Sequence, residues 1–256
     1  MEMKGKKVLV FGSGISGEAA AGLLLREGAQ VVLYDGNEKL DAAEIKTKIQ
    51  ESLAGTGSVD GKPSGQDAAG GADSADLSVV LGEFPEELLG GLSLTVMSPG
   101  VPTDLPVVDR MKEAGIPVWG EIELAYVLGK GDVLAITGTN GKTTTTALLG
   151  QIMGNWKEST FVVGNIGNPY TSIVPETRED SVIVAEMSSF QLETVHTFRP
   201  KVSAILNITP DHLNRHHTME AYIAAKERIA ENQTADDVCV LNYEDDVLRE
   251  FGGKIS

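Results

Sequence analysis

The sequence predicts an α/β protein whose strands are parallel and covered by helices on both faces. Three observations predict it. Short, continuous apolar runs recur along the chain and alternate with stretches of helical spacing, the pattern of buried parallel strands in doubly wound sheets. Two of these runs pass directly into glycine-rich turns that open helices. Hydrophobic residues make up 41% and charged residues 23% of the 256-residue chain, a globular balance that fits neither a disordered nor a fibrous protein.

The length suits one large domain or two modest ones at about 150 residues each. Residues 7–11 (KVLVF) are the first strand, 16–26 carry Ala and Leu at helical spacing, and 30–35 (QVVLYD) form a second strand ending in an acid. Later strands are expected at 94–97, 133–137, 181–185, 202–206 and 238–241. Between Ala54 and Asp76, 20 of 23 residues are Gly, Ser, Ala, Asp, Thr or Pro, so this stretch buries too little to offset its ordering entropy. It reads as a disordered surface insertion, with a flexible functional lid as the alternative. The run 115–121 (GIPVWGE), ahead of an amphipathic helix and a new strand, marks a junction near residue 120. Residues 1–120 and 121–256 are therefore the two expected domains, and no repeat of 20–50 residues is visible.

Lys and Arg total 21 against 37 Asp and Glu, a net charge of -16. Such a field repels phosphate backbones and disfavours a nucleic-acid binder or a polybasic membrane-surface protein, while leaving local anion sites open. Cys239 is the single cysteine, which excludes an intramolecular disulfide and any C-x-x-C motif. A reducing, cytoplasmic setting follows. The N-terminal apolar run is broken by Gly12, Gly14, Gly17 and Glu18, and no run approaches a bilayer-spanning length, so neither a signal peptide nor membrane insertion is expected.

Gly12, Ser13, Gly14, Ile15, Ser16 and Gly17 match G-x-G-x-x-G, with Asp35 ending the next strand 23 residues after Gly12. Glycines there permit a tight turn, and helix amides then face an anion. By itself the motif reads as a Rossmann-like dinucleotide site or as a plain glycine-rich turn. Thr137, Gly138, Thr139, Asn140, Gly141, Lys142, Thr143 and Thr144 lie between a strand and a helix. This is a P-loop-type arrangement: backbone amides cradle phosphates, Lys142 neutralises them and the Thr143 hydroxyl suits Mg²⁺. Ile136 stands where the first glycine of G-x-x-x-x-G-K-[ST] belongs, so Gly138 makes the early turn.

Glu186 ends the run 182–185 at the edge where α/β sheets gather ligands. It is either a metal ligand or a solvated strand end. In 207–217 (NITPDHLNRHH), Pro210 forces a turn and His212 follows; His212 reads as a ligand or as a surface histidine. A helix expected over 219–231 places Met219, Tyr222, Ile223, Ile229 and Ala230 on one face together with Lys226. Lys226 either snorkels to water or is buried with a lowered pKa and a neutral amine.

Taken in order, GTNGKTT, EMSSFQLE, TPDHLNR and YIAAKERI resemble the ATP-dependent Mur ligases of peptidoglycan assembly. The run 188–192 (SSFQL) and Ser98, Pro99, Gly100 and Val101 resemble the branch that adds D-glutamate to UDP-N-acetylmuramoyl-L-alanine. The resemblance covers nearly all of the chain outside 54–76. It implies a Rossmann-like first domain holding the UDP substrate on Gly12 to Gly17, Asp35 and Ser98 to Gly100, and a central domain binding ATP on Gly138 to Thr144. It implies Mg²⁺ on Thr143 and Glu186 and a second on His212 and a carbamate of Lys226, with Lys142 among the catalytic groups. Asn165 and Gln191 would lie along the muramoyl substrate. The implied chemistry is attack of the alanyl carboxylate on the γ-phosphate, giving an acyl phosphate that the D-glutamate amine displaces. A cytoplasmic monomer with no nucleic-acid partner is expected.

Ligases of this family carry a third domain, so the chain reads as a C-terminally truncated ligase, expected to be inactive alone. The rivals are an NAD-dependent oxidoreductase, which leaves GTNGKTT unexplained, a non-catalytic nucleotide-binding fragment, another Mur-type ligase adding L-alanine or a diamino acid, and a folylpolyglutamate synthase.

Overall fold

The computed structural model describes residues 2–55 and 76–255, and the chain divides into two compact units, Met1–Glu121 and Ile122–Ser256. Most of the expected insertion, 56–75, lies outside the described residues.

In the first unit β1 (Lys7–Phe11) enters the core at once, with Val8, Leu9 and Val10 fully buried. It is followed by α1 (Ile15–Arg26), β2 (Gln30–Asp35), α2 (Ala42–Gly55), β3 (Leu77–Leu81), β4 (Leu94–Met97), α3 (Pro106–Glu113) and β5 (Val118–Gly120). The sheet order is β3-β2-β1-β4-β5 and every pair is parallel. Strand order therefore reverses between β1 and β4, so the loop after β1 lies at the switch point where such sheets open a crevice. The run 54–76 does not begin where composition placed it. Helix α2 continues through Ala54 and Gly55, and Arg26 donates to the Ser52 and Leu53 carbonyls at 3.3 and 2.8 Å, satisfying acceptors that a last helical turn leaves open.

The second unit begins with α4 (Glu121–Leu128), which starts at the boundary. Then come β6 (Asp132–Thr137), α5 (Lys142–Trp156), β7 (Thr160–Gly164), α6 (Tyr170–Ile173), β8 (Val182–Glu186), α7 (Ser189–Leu192), β9 (Val202–Ile205), α8 (Leu213–His216), α9 (Met219–Glu227), β10 (Val238–Leu241) and α10 (Asp246–Gly252). Its sheet is again parallel, ordered β10-β9-β6-β8-β7. Central β6 is thus flanked by β8 and β9, and Ile136, Val182 and Val184 form a buried cluster against Leu149, Met153 and Val162.

Two expectations are corrected here. Helix α4 is not amphipathic, because Glu121 and Glu123 are both buried. The Glu123 carboxylate accepts the backbone N–H groups of His196, Thr197 and Phe198 at 2.8, 2.7 and 3.1 Å and the Thr197 hydroxyl at 2.6 Å. Buried donors of a loop need such an acceptor, and periodicity cannot register that need. The helix expected over 219–231 ends as α9 at Glu227 and tightens into a 3-10 turn, Arg228–Ala230. Among the described residues no helix is long and apolar enough to cross a membrane.

Packing of α5 on the sheet turns on Gly150, where a Cβ would overlap Val162 Cγ2. Gly to Ala ordinarily stabilises a helix interior by roughly 0.5–1 kcal/mol. Overpacking of about 1–3 kcal/mol should win here. Gly150→Ala is expected to lower the urea midpoint, and adding Val162→Ala should recover part of the loss; a stabilised single variant would contradict this packing.

Candidate functional site

Parallel strands deliver their successors to one edge, and in each unit the sequence-predicted residues gather at that carboxyl edge. In the first unit Gly12 follows β1 with φ +102°, a conformation that favours glycine. A Cβ at Gly12 would sit 2.9 Å from the Ser98 side chain and Val101, and one at Gly17 would overlap the Gly12 carbonyl oxygen. At Gly14 a Cβ meets nothing among the described residues within 4 Å, so among these residues the turn is closed on two sides and open on the third. Gly14 also N-caps α1 without a side-chain cap, leaving first-turn amides for an anion. Ser98 donates to the Gly12 carbonyl at 3.1 Å. Asp35 accepts from the Ser13 N–H and hydroxyl at 2.9 and 2.7 Å and from Asn37 N–H at 2.9 Å. Partial burial opposes its charge, yet these donors outweigh it and hold the carboxyl below its usual value. Ile15 stands exposed beside the turn.

In the second unit the loop between β6 and α5 turns on Gly138, φ +150°, and Gly141, φ +82°. Its neighbours fix it from the β9 side: Thr139 N–H donates to Asn207 O at 2.9 Å, and Asn140 N–H donates to Asn207 Oδ1 at 2.9 Å. Gly141 caps α5 with no side chain, while Thr143 and Thr144 are exposed. Lys142 Nζ folds back onto the carbonyls of Gly138 and Thr139 at 2.9 and 3.0 Å. Lys226 Nζ, arriving from α9, meets the same Gly138 carbonyl at 2.8 Å and Thr137 Oγ1 at 3.4 Å. Two lysines thus share one acceptor.

Glu186 ends β8 and is 1% exposed. Asn165 Nδ2 donates to its Oε1 at 2.8 Å, whereas among the described residues its buried Oε2 has no hydrogen-bond partner. An orphaned buried acceptor costs roughly 1–3 kcal/mol, and a cation would satisfy it. Asn165 is exposed. Gln191 is buried instead: its Oε1 accepts the Ser188 N–H and hydroxyl at 2.9 and 3.0 Å, closing a capping box at the start of α7. The sequence therefore places Gln191 beside the site, and the structure turns its carbonyl oxygen inward.

His212 lies half-exposed with a left-handed backbone, φ 52°. Such a residue costs roughly 1–3 kcal/mol and belongs where the surroundings enforce it. Its ring packs on Phe190 with centroids 5.0 Å apart. Two participants escaped the sequence reading. Tyr222, read only as part of an apolar face, places its hydroxyl 3.0 Å from Thr139 Oγ1 and its ring 4.8 Å from Lys226 Nζ. His216 is buried and pairs with Ser189 at 2.9 Å. Helical spacing marked Tyr222 as buried, but nothing in the sequence marked its partners.

Residues 136–256 match the Mur ligase middle domain. Over 98% of its length the chain is 58% identical to the UDP-N-acetylmuramoylalanine--D-glutamate ligase of Lachnospira eligens, and over 99% it is 44% identical to the protein of the same name from Clostridioides difficile. The chain belongs to the Mur ligase family. It spans about half the length of these relatives, 51% of each. The crystal structure of UDP-N-acetylmuramate:L-alanyl-gamma-D-glutamyl-meso-diaminopimelate ligase from Neisseria meningitides shares the fold, with a TM-score of 0.59 at 17% identity, covering 98% of this chain and 75% of that one.

In this Mur ligase chain Lys226 does not snorkel. It is 2% exposed, and burial, reinforced by the Lys142 charge, lowers its pKa to about 7 while Asp211 pulls weakly the other way. Among the described residues no three His, Cys, Asp or Glu side chains gather closely enough to hold a metal ion. The buried Glu186 Oε2 and the exposed Thr143 hydroxyl are hard oxygen donors of the kind Mg²⁺ takes alongside waters and phosphates.

The Lys226 shift has a definite sign. Between about pH 7 and 10.5 the unfolded chain holds a proton on this amine that the folded chain has released, so stability rises with pH across that window. The full penalty applies below about pH 7. In CO₂-free buffer, urea unfolding should show a rise approaching about 1.4 kcal/mol per pH unit that is flattened in Lys226→Met; equal slopes in both proteins would refute the assignment.

Proposed function

We propose that the chain supplies the UDP-substrate and ATP sites of a cytoplasmic ligase that joins D-glutamate to UDP-N-acetylmuramoyl-L-alanine through an acyl phosphate. The observation that carries this reading is the convergence of Lys142 and Lys226 on the Gly138 carbonyl, in a loop whose helix amides are uncapped. The Lys142 cation and a backbone nest at one point match a triphosphate, and the largely neutral Lys226 amine stands at the same point. Identity to relatives bearing that ligase name supports the choice of substrates.

In this reading Gly138 to Thr144 cradle ATP, and Lys142 leaves its two carbonyls for the phosphates. Gly12 to Gly17 take the UDP diphosphate on the open side of Gly14. Asp35 acts by holding Ser13, and Ser98 to Gly100 brace the turn. Thr143, Glu186, His212 and a carbamate on Lys226 would hold Mg²⁺, which supplies charge neutralisation between carboxylate and triphosphate. Asn165 orients Glu186 through its 2.8 Å bond, and Gln191 shapes the start of α7 through its cap.

The Lys226 amine attacks CO₂, a C–N bond forms and one N–H proton leaves, giving a carbamate anion. Its buried position and pKa of about 7 keep much of the amine neutral and nucleophilic at neutral pH. The anion is then stabilised by the same Lys142 charge that disfavours a protonated Lys226.

Calorimetry separates this reading from a nicotinamide enzyme. The protein should bind Mg-ATP and UDP-N-acetylmuramoyl-L-alanine and give no heat with NADH. Lys142→Ala should weaken ATP by about 1.5–3 kcal/mol, a charge-assisted contact, and leave the UDP ligand unaffected. Binding of NADH alone, or an ATP affinity indifferent to Lys142, would sink it.

The carbamate has its own readout. With ¹³C-bicarbonate a carbamate carbon resonance should appear in the ¹³C spectrum and vanish in Lys226→Ala. A signal that persists in the variant would place the carbamate elsewhere.

A further inference from the structure

Helices α7 and α8 are single turns of four residues each, too short to hold their own geometry. Side chains interleave to lock them together. Ser189 and Glu193, one turn apart, bracket Phe190 from the α7 side; His212 and His216, one turn apart, bracket it from the α8 side. The Phe190 ring stacks on His216 at 5.5 Å with planes 28° apart, meets His212 at 5.0 Å and lies under the Arg215 guanidinium at 4.5 Å. Arg215 is tied to Glu193 at 2.9 Å. The His216 ring is pinned at both nitrogens, with Nε2 2.9 Å from Ser189 Oγ and Nδ1 3.5 Å from Glu193 Oε1.

We propose that His216 is a positioning residue which, through Ser189 and Glu193, fixes Phe190 and thereby the ring of His212 at the mouth of the phosphate loop. The consequence for metal binding rests on the reading of His212 given above. With Glu193 Oε1 beside Nδ1, an Nδ1–H tautomer would leave Nε2 to accept the Ser189 hydroxyl. The order Ser, His, acid is that of a hydrolase triad. Ser189, however, is 2% exposed and beyond the reach of a substrate, so the same bonds here orient a ring. His212 needs that support because its left-handed backbone and exposed ring leave Phe190 as a principal wall.

The test uses the whole chain with ¹⁵N-labelled histidine. In metal-free protein His216 should show the Nδ1–H tautomer, and an NOE should link the Phe190 and His212 rings. His216→Phe keeps a stacked ring and removes both polar contacts; Ser189→Ala removes one hydroxyl and decides the matter should the first variant unfold. Both should weaken the NOE and shift the His212 ring protons. With ATP present, Mn²⁺ should broaden His212 in the parent chain and bind about tenfold more weakly in the variants, the usual scale for a lost supporting contact, while metal-free ATP affinity stays unchanged. An unaltered NOE and Mn²⁺ affinity in a folded variant would overturn the proposal. Should Mn²⁺ leave the parent His212 sharp while the NOE still responds, the metal role of His212 fails and the positioning role stands.

Discussion

The Gly138 carbonyl is the point on which the second unit's site depends. It leaves central β6 in a backbone conformation that favours glycine, φ +150°, with Leu206 closing one side, where a Cβ would lie 3.1 Å from Leu206 Cβ. The strands on either side are fixed by register, Ile136 opposite Glu186 and Thr137 opposite Ile205. Glu186, Asn207 and the phosphate loop therefore come to one edge because the sheet is parallel. Lys226 reaches that carbonyl only from within the core face of α9, which is why it must be buried. Burial beside Lys142 makes its charge costly, and a neutral amine is the result.

Several local costs accumulate around this pivot: the orphaned Glu186 oxygen, the left-handed His212 and the positive φ of His217. Each is worth on the order of 1–3 kcal/mol, a sizeable part of a domain's net stability. The two strained histidines lie in loops, and the orphaned oxygen lies at the very end of β8. The rigid part of the unit tolerates these costs because parallel strands such as β8, buried throughout, hold the site residues in place independently of the loops. Where the chain leaves the strands, side-chain locks take over, as Glu123 does for 196–198 and as the α7–α8 zipper does beside His212.

The strands that carry the site were legible because their apolar runs are continuous: β1, β2, β4 and β10 fall at the residues the runs mark. Strands β3, β5 and β7 went unread. Leu77–Leu81 emerges from a Gly/Ser/Asp-rich stretch, Val118–Gly120 is three residues long, and Thr160–Gly164 has only two bulky branched residues between a helix end and a glycine. The glycine-rich loop between β6 and α5 was legible because glycine, lysine and threonine spacing is a local property. What stayed hidden was pairing between distant residues. Lys226 to Gly138, Glu123 to 196–198 and His216 to Ser189 span 88, about 74 and 27 positions, and periodicity carries no information at that range. Periodicity assigned Lys226 to the right face and left its two environments open; only the carbonyl beneath it decides between them.

The two glycine-rich turns set similar backbone geometry in different electrostatic surroundings. Both follow a central strand, begin with a positive-φ glycine and present an uncapped helix. The first contains no basic side chain and is organised by an acid, Asp35, whose oxygens are engaged by Ser13 and Asn37. The second contains Lys142 and receives Lys226. In a chain of net charge -16, a highly charged anion approaches against the global field, so a concentrated local positive charge is required to hold it. A diphosphate esterified to larger groups needs less, because the rest of the ligand contributes contacts and helix amides alone neutralise part of its charge. Lys142 is the cation that makes this difference, because burial holds the Lys226 amine largely neutral, and the asymmetry argues for the more highly charged anion at the second turn.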